Sequence, residues 1–163
     1  MVQKKYWEDL VQLRFQLFYL EEYLSQSYRY DSWINIIMAI ASSSSIAAWV
    51  IWNELKFLWS LIIATSQVIN AVKVYLPFNK RTKYINLLYS QLTELFYEYD
   101  YNWLKVSGGE ITEEEINDMI FEMRKKKQKI HDEHLLNNNL PQKKKLKEIA
   151  DTRLKQYFEI YLD

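Results

Sequence analysis

A long stretch with almost no charge divides this chain into three parts. Residues 33–79 carry only Glu54, Lys56 and Lys73, whereas residues 1–32 carry nine charged side chains and residues 80–163 carry thirty. A helix on the surface of a soluble protein needs a polar outer face. The middle block therefore predicts a membrane segment, with water-exposed segments before and after it.

Two apolar runs of twenty residues lie in this block, WINIIMAIASSSSIAAWVIW at 33–52 and FLWSLIIATSQVINAVKVYL at 57–76. A helix of that length spans roughly 30 Å, the thickness of a hydrocarbon core. Only four residues separate the runs, which predicts a hairpin of two antiparallel transmembrane helices within 33–77. Aromatic residues, which favour the headgroup region, mark the ends of the runs. They are Trp33, Trp49, Trp52, Trp59, Tyr75 and Phe78.

The basic residues beside the hairpin predict its orientation. Its tip offers only Lys56, whereas the opposite side offers Arg29, Lys80, Arg81 and Lys83. Basic residues favour the cytoplasmic side. We therefore expect a multi-pass protein of the inner (cytoplasmic) membrane with both termini in the cytoplasm. A segment of about thirty residues that carries nine charges precedes the first run, which argues against a cleaved signal peptide.

Polar and small residues inside the runs have two interpretations. Small residues four apart let helices pack closely, and polar groups in lipid must face protein or water. The polar set therefore marks either a helix interface or a membrane path in a homo-oligomer, since one hairpin cannot enclose a path. A hairpin buried in a soluble helical protein is the alternative to both. The polar set is Asn35, Ser42, Ser45, Ser60, Gln67, Asn70 and Lys73, and the small set is Ala39, Ser43 and Ala47.

The flanking segments carry helical stripes. Residues 1–32 form a predicted cytoplasmic helix that either continues through the first run or breaks near Asp31 and Ser32. Its apolar positions alternate spacings of four and three, the pattern of a packed helix. They are Tyr6, Leu10, Leu13, Leu17, Leu20 and Leu24.

Residues 78–163 predict three further cytoplasmic helices, at about 80–107, 113–137 and 142–162. Pro77 marks a break before them, and Gly108 and Gly109 end the first. A second stripe includes Tyr84, Leu88, Leu92, Leu95 and Tyr99, and we expect this helix to pack antiparallel to the N-terminal one. Thr112 and Glu115 form a capping box. The predicted fold is all-α: a transmembrane hairpin whose long cytoplasmic extensions form a helical bundle.

Candidate chemistry is sparse. His131 and His134 have a spacing that can place two imidazoles on one face, but no third ligand is evident, so a solvated helix end is favoured over a metal site. Two basic runs, at 124–129 and 143–147, are interpreted as a solvated face paired with acidic residues; the alternative is an anionic lipid or nucleotide site. A formal net charge of zero argues against nucleic-acid binding. Since no catalytic motif occurs, we expect neither an enzyme nor a cofactor.

The layout of nearly the whole chain resembles the SLATT family of two-transmembrane effectors of bacterial conflict systems. The matching parts are the N-terminal helix rich in tyrosine and leucine, the tight hairpin and three segments, LPFNKRTKYINLLYSQLTEL at 76–95, GGEITEEEI at 108–116 and KEIADTRLKQYFEIY at 147–161. The resemblance implies a membrane-disrupting or pore-forming effector in the bilayer. It also implies a trigger at the cytoplasmic helices, either a sensor protein or a nucleotide second messenger. A non-toxic membrane scaffold that recruits a cytoplasmic partner is the alternative.

Overall fold

The computed structural model describes residues 2–51, 56–75, 78–135, 140 and 142–162. All regular structure in these residues is helical, which confirms the all-α prediction and the helical bundle. The helices are α1 (Val2–Ile51), α2 (Lys56–Tyr75), α3 (Phe78–Gly108), α4 (Glu113–Leu135) and α5 (Lys144–Leu162). Helix α1 continues through Asp31 and Ser32 without a break. None of the helices within the described ranges combines the length and the apolar character that a membrane crossing requires.

The chain forms two compact units. The bundle comprises Met1–Leu24 and Arg81–Asp163, and the middle unit comprises Ser25–Lys80. Helix α1 contributes its first half to the bundle and its second half to the middle unit, where α2 also lies. Pro77, where a break is predicted, and residues 136–139 and 141, which include the predicted end of the helix at 113–137, lie outside the described residues.

The bundle core is built on the stripe of α1. All six predicted positions, from Tyr6 to Leu24, are buried. The ring of Tyr6 lies 5.4 Å from that of Tyr99, and the guanidinium of Arg14 lies 4.9 Å from the ring of Phe96. Because residues later in α1 contact residues earlier in α3, the two helices are antiparallel, as predicted.

One position of the α3 stripe was predicted wrongly. Tyr84 is 45% exposed, whereas its neighbour Ile85 is buried. From Ile85 the buried positions Leu88, Leu92 and Leu95 follow spacings of three, four and three, so the stripe begins one residue later than predicted. The tyrosine ring is tolerated outside because an aromatic side chain with a polar tip is amphipathic.

Helices α4 and α5 cover the rest of the core. Ile116, Ile120 and Met123 of α4 are buried, together with Leu146 and Ala150 of α5. Apolar side chains from four helical segments thus share one interior, which supplies the main driving force for folding.

Hydrogen bonds confirm two of the predicted helix ends, the end of α3 and the start of α4. Gly109 has a φ of 71°, a left-handed conformation that glycine adopts without steric cost. Its N–H and that of Glu110 donate to the carbonyls of Val106 and Lys105, which closes α3. At the start of α4, the Glu115 N–H donates to the Thr112 hydroxyl, and the Thr112 N–H donates to the Glu115 carboxylate over 2.8 Å.

Replacement of Leu92 by alanine should lower the free energy of unfolding by about 2–5 kcal/mol, because it leaves a cavity in the core. Leu92 is fully buried, whereas Leu104 on the same helix is 68% exposed. Leu104→Ala is therefore the matched control, with an expected change within about 0.5 kcal/mol. Chemical denaturation of the full chain, followed by circular dichroism, measures both. Equal effects of the two substitutions would contradict this packing.

Candidate functional site: a basic groove in the bundle

Most cations of the first basic run are paired with carboxylates. Arg124 donates two hydrogen bonds to Asp9, of 2.8 and 3.0 Å, which joins α4 to α1. The other ion pairs of the run are Lys125–Glu122, Lys126–Glu98 and Lys129–Glu133. For these four side chains the predicted solvated, paired face is confirmed.

Lys127 differs from its neighbours. It is half-buried and makes no ion pair with any residue that the structure describes. Burial lowers the pKa of its amine, the charge of Arg124 lowers it further, and Asp9 opposes both effects. The buried side chains Ile116, Ile120 and Met123 have spacings of four and three, and the next positions in that series are 127 and 130. Lys127 therefore occupies a position that the helix otherwise gives to apolar residues.

A groove of about 750 Å³ lies at Lys127, between α1, α4 and the start of α5. The basic side chains that line it come from both basic runs of the sequence. They are Arg124, Lys127, Lys143, Lys144 and Lys147. No aspartate or glutamate is among the described residues that line the groove. The bundle thus concentrates positive charge here, although the whole chain has equal numbers of acidic and basic residues.

The wall formed by α1 carries amides and aromatic rings. Gln12, Phe15, Gln16 and Tyr19 line the groove from this helix. Each of Gln12, Gln16 and Tyr19 directly precedes a buried leucine of the core stripe, so these side chains lie about 100° around the helix from the core. The Tyr19 hydroxyl accepts a hydrogen bond of 3.1 Å from the backbone N–H of Lys143, which ties the second basic run to α1.

The two histidines face different helices. Nε2 of His131 accepts a hydrogen bond from the side-chain amide of Gln16 over 2.9 Å, and Nε2 of His134 lies 2.9 Å from the Gln91 amide oxygen of α3. Both rings are partly buried and contact side chains of neighbouring helices, so this helix end is less solvated than predicted. Across the described residues, no group of three or more potential ligands could hold a metal ion.

A second groove, of about 320 Å³ between α3 and α4, has a different chemistry. Lys126 and Lys129 line it together with Glu94, Glu98 and Glu133. Its cations therefore have carboxylates within the same surface, whereas those of the larger groove do not. The larger groove is the stronger candidate for an external ligand.

The ten residues predicted for a membrane path or close packing all lie in the middle unit. Asn35, Ala39, Ser60 and Gln67 are exposed, and the Asn35 amide donates to Asp31 over 3.2 Å. The other six lie in helices, but their side chains are outside the described part of the structure. They are Ser42, Ser43, Ser45, Ala47, Asn70 and Lys73. The path and the packing stripe stay predictions.

Comparisons with family models, with curated proteins and with solved structures find no match for this chain. The chemistry of the groove therefore rests on its own residues. The basic runs are visible in the sequence, but the groove is not, because the residues of α1 that line it are more than one hundred positions away from these runs. One signal was present: Lys127 interrupts an apolar series on α4.

We expect the pKa of His131 to lie below its ordinary value of 6.5, because burial and the charge of Lys127 both disfavour the imidazolium, while Asp132 opposes them. At a pH between the pKa of His131 in the folded protein and its pKa in the unfolded chain, the unfolded chain binds more protons than the folded protein. The free energy of unfolding should therefore fall as pH drops below about 6.5 and reach a plateau below the folded pKa. Titration of the imidazole Cε1 protons by NMR, with His131→Gln to assign the signal, measures the shift. A pKa at or above 6.5 would contradict the described environment.

Proposed function

We propose that this chain is a membrane-embedded effector of bacterial immunity. In this proposal the middle unit forms a transmembrane hairpin, the bundle lies in the cytoplasm, and a trigger at the bundle leads the hairpins to assemble and to permeabilise the inner membrane. The setting in bacterial immunity is supported by the resemblance to the SLATT family. The membrane role is supported by the middle unit itself.

The observation that carries the membrane role is the exposure of large apolar side chains in the middle unit. Trp33 is 62% exposed, Phe57 is 83% exposed and Val68 is 63% exposed, and Ile36, Ile37 and Leu61 are also exposed. Apolar surface in water costs about 25 cal/mol per Å². Lipid, or further copies of the same helices, would remove that cost. The absence of charge at 33–52, and the single charge of Lys73 within 57–76, point to the same surroundings.

Hydroxyl groups in α2 are compatible with lipid because they bond to their own helix. Thr65 donates to the carbonyl of Leu61 and Ser66 to that of Ile63, each over 2.8 Å. Such bonds satisfy a hydroxyl without a partner outside the helix. Exposed Gln67 has a longer amide side chain, which suits an interface between copies or a water-filled path.

A non-toxic membrane scaffold is the second candidate. Tyr97, Tyr101 and Leu104 of α3 are each more than 60% exposed and follow helical spacing, so they form an apolar strip on the bundle. Such a strip suits a protein partner. In this candidate the hairpin serves only as an anchor.

We expect the purified full chain, reconstituted into phosphatidylcholine–phosphatidylglycerol vesicles, to release an entrapped dye. Dye release should increase more than proportionally with the protein-to-lipid ratio. At a high protein density in the membrane, mass action favours assembly of the hairpins even without the trigger. Dye fluorescence measures the release, and flotation of the vesicles measures the amount of inserted protein.

The matched control is a chain in which residues 33–76 are replaced by an unrelated two-helix hairpin. The effector proposal predicts insertion without dye release for this chimera. Equal release by the two proteins would overturn a specific role of the natural hairpin. Insertion of both proteins without release by either, at every density, would favour the scaffold.

A further inference from the structure

We infer that the basic groove of the bundle binds a small molecule that carries at least two phosphate groups and a flat ring, the chemistry of a nucleotide. A role for this site in triggering rests on the proposed function, whereas the binding itself does not. Every residue of the site belongs to the bundle.

The positive charge of the groove is only partly balanced by carboxylates. Lys127, Lys144 and Lys147 line the groove and make no ion pair with any residue in the described ranges. Elsewhere on the bundle, Lys125, Lys126 and Lys129 of the first run pair with carboxylates, and Arg153 of α5 pairs with Glu21 and Glu22. Like charges that converge without counter-ions repel one another. An anion with several negative oxygens would relieve this repulsion.

Lys127 stands at an unusual position. An apolar residue there would continue the buried series of α4, whereas the half-buried amine loses hydration, a cost that the charge of Asp9 offsets only in part. A lysine at this position thus carries an energetic cost that a bound anion would offset. The start of α5 lies beside it, and the N-terminus of a helix adds a favourable field for phosphate. Arg124, fixed by two hydrogen bonds to Asp9, lies on the same side of the groove.

The wall formed by α1 carries aromatic side chains. Phe15 and Tyr19 are one turn apart on α1 and line the groove, and aromatic side chains of this kind can stack on flat rings. Gln12 offers an amide that both donates and accepts hydrogen bonds, as recognition of a base edge requires. The amide nitrogens of Gln16 and Gln128 already donate to His131 and Asp132, so these two side chains offer mainly their carbonyl oxygens as acceptors. Ligand sites for small molecules have volumes of about 300–1,000 Å³, and the groove of about 750 Å³ lies within that range.

The phosphate could belong to a soluble compound or to an anionic lipid headgroup. A ring-stacking wall favours the soluble compound. The experiment therefore measures binding to the full chain in neutral detergent by isothermal titration calorimetry with pyrophosphate, ATP and adenosine as probes. A separate arm measures sedimentation with vesicles of pure phosphatidylcholine and of phosphatidylcholine containing phosphatidylglycerol.

The variants come as matched pairs. Lys127→Met and Lys144→Met remove cations of the groove, and Lys126→Met and Lys145→Met remove the adjacent cations, which do not line it. We expect each groove variant to weaken ATP binding about tenfold or more, since one charge-assisted hydrogen bond is lost, and each adjacent variant to change it by less than twofold. Because methionine suits the apolar position of residue 127, Lys127→Met should unfold at an equal or higher temperature than the natural chain.

ATP binding tighter than pyrophosphate binding, with the dependence on Lys127 and Lys144, supports the inference. If the protein binds phosphatidylglycerol vesicles through Lys127 and Lys144 but does not bind ATP, the groove is a phosphate site, and the inference of a ligand with a flat ring is overturned. Equal losses in all four variants would overturn the site, because net charge alone would then explain binding. No binding of any probe by the folded protein would overturn it as well. If the protein releases dye from vesicles but binds no ATP, the ligand inference fails while the proposed function stands.

Discussion

The burial of one stripe of α1 is the constraint on which the bundle depends. Tyr6, fully buried, stands at its first turn: its hydroxyl donates to the carbonyl of Tyr99 over 2.9 Å, and its ring lies 5.9 Å from that of Trp103. Burial raises the pKa of this phenol well above its ordinary value, with a smaller effect from Tyr99. A single side chain thus joins α1 to α3 inside the core, where an unmet hydroxyl would be costly.

The burial of the α1 stripe also determines where the groove lies. Once the leucines of α1 face the core, the glutamines and Tyr19 beside them must face α4 and the start of α5. The two ion pairs of Arg153 with Glu21 and Glu22, of 3.0 and 2.7 Å, hold α5 against α1. Arg124 does the same for α4 through Asp9. These carboxylates form ion pairs with the arginines and not with the lysines of the groove, although the charge of Asp9 still acts on Lys127.

The sequence predicted what depends on local pattern. The six buried positions of α1, the capping box of Thr112 and the left-handed Gly109 all follow from spacing and from the conformational preference of one residue. Tyr84 was misplaced by one position because a tyrosine satisfies either a core or a surface position. Lys127 was read as part of a solvated run because its surroundings are set by α1, far away in the chain.

The two units of the chain each lack something that a partner could supply. The middle unit exposes large apolar side chains, and three lysines of the groove make no ion pair with any described residue. Lipid would cover the apolar surface of the middle unit, and a molecule that carries phosphate would neutralise the positive charge of the groove. The shared helix α1, which enters both units, gives a covalent route between them, but only a two-state change in that helix would couple ligand binding to the hairpin.

The most direct measurement of the central claim uses the absence of cysteine from the chain. A spin label at Ser43→Cys reports on the first apolar run, and one at Lys125→Cys reports on the bundle. In reconstituted vesicles the account predicts that the label at position 43 collides more with dissolved oxygen than with a water-soluble nickel chelate, and that the label at position 125 shows the reverse. Greater collision with the nickel chelate at both positions would contradict a hairpin in lipid.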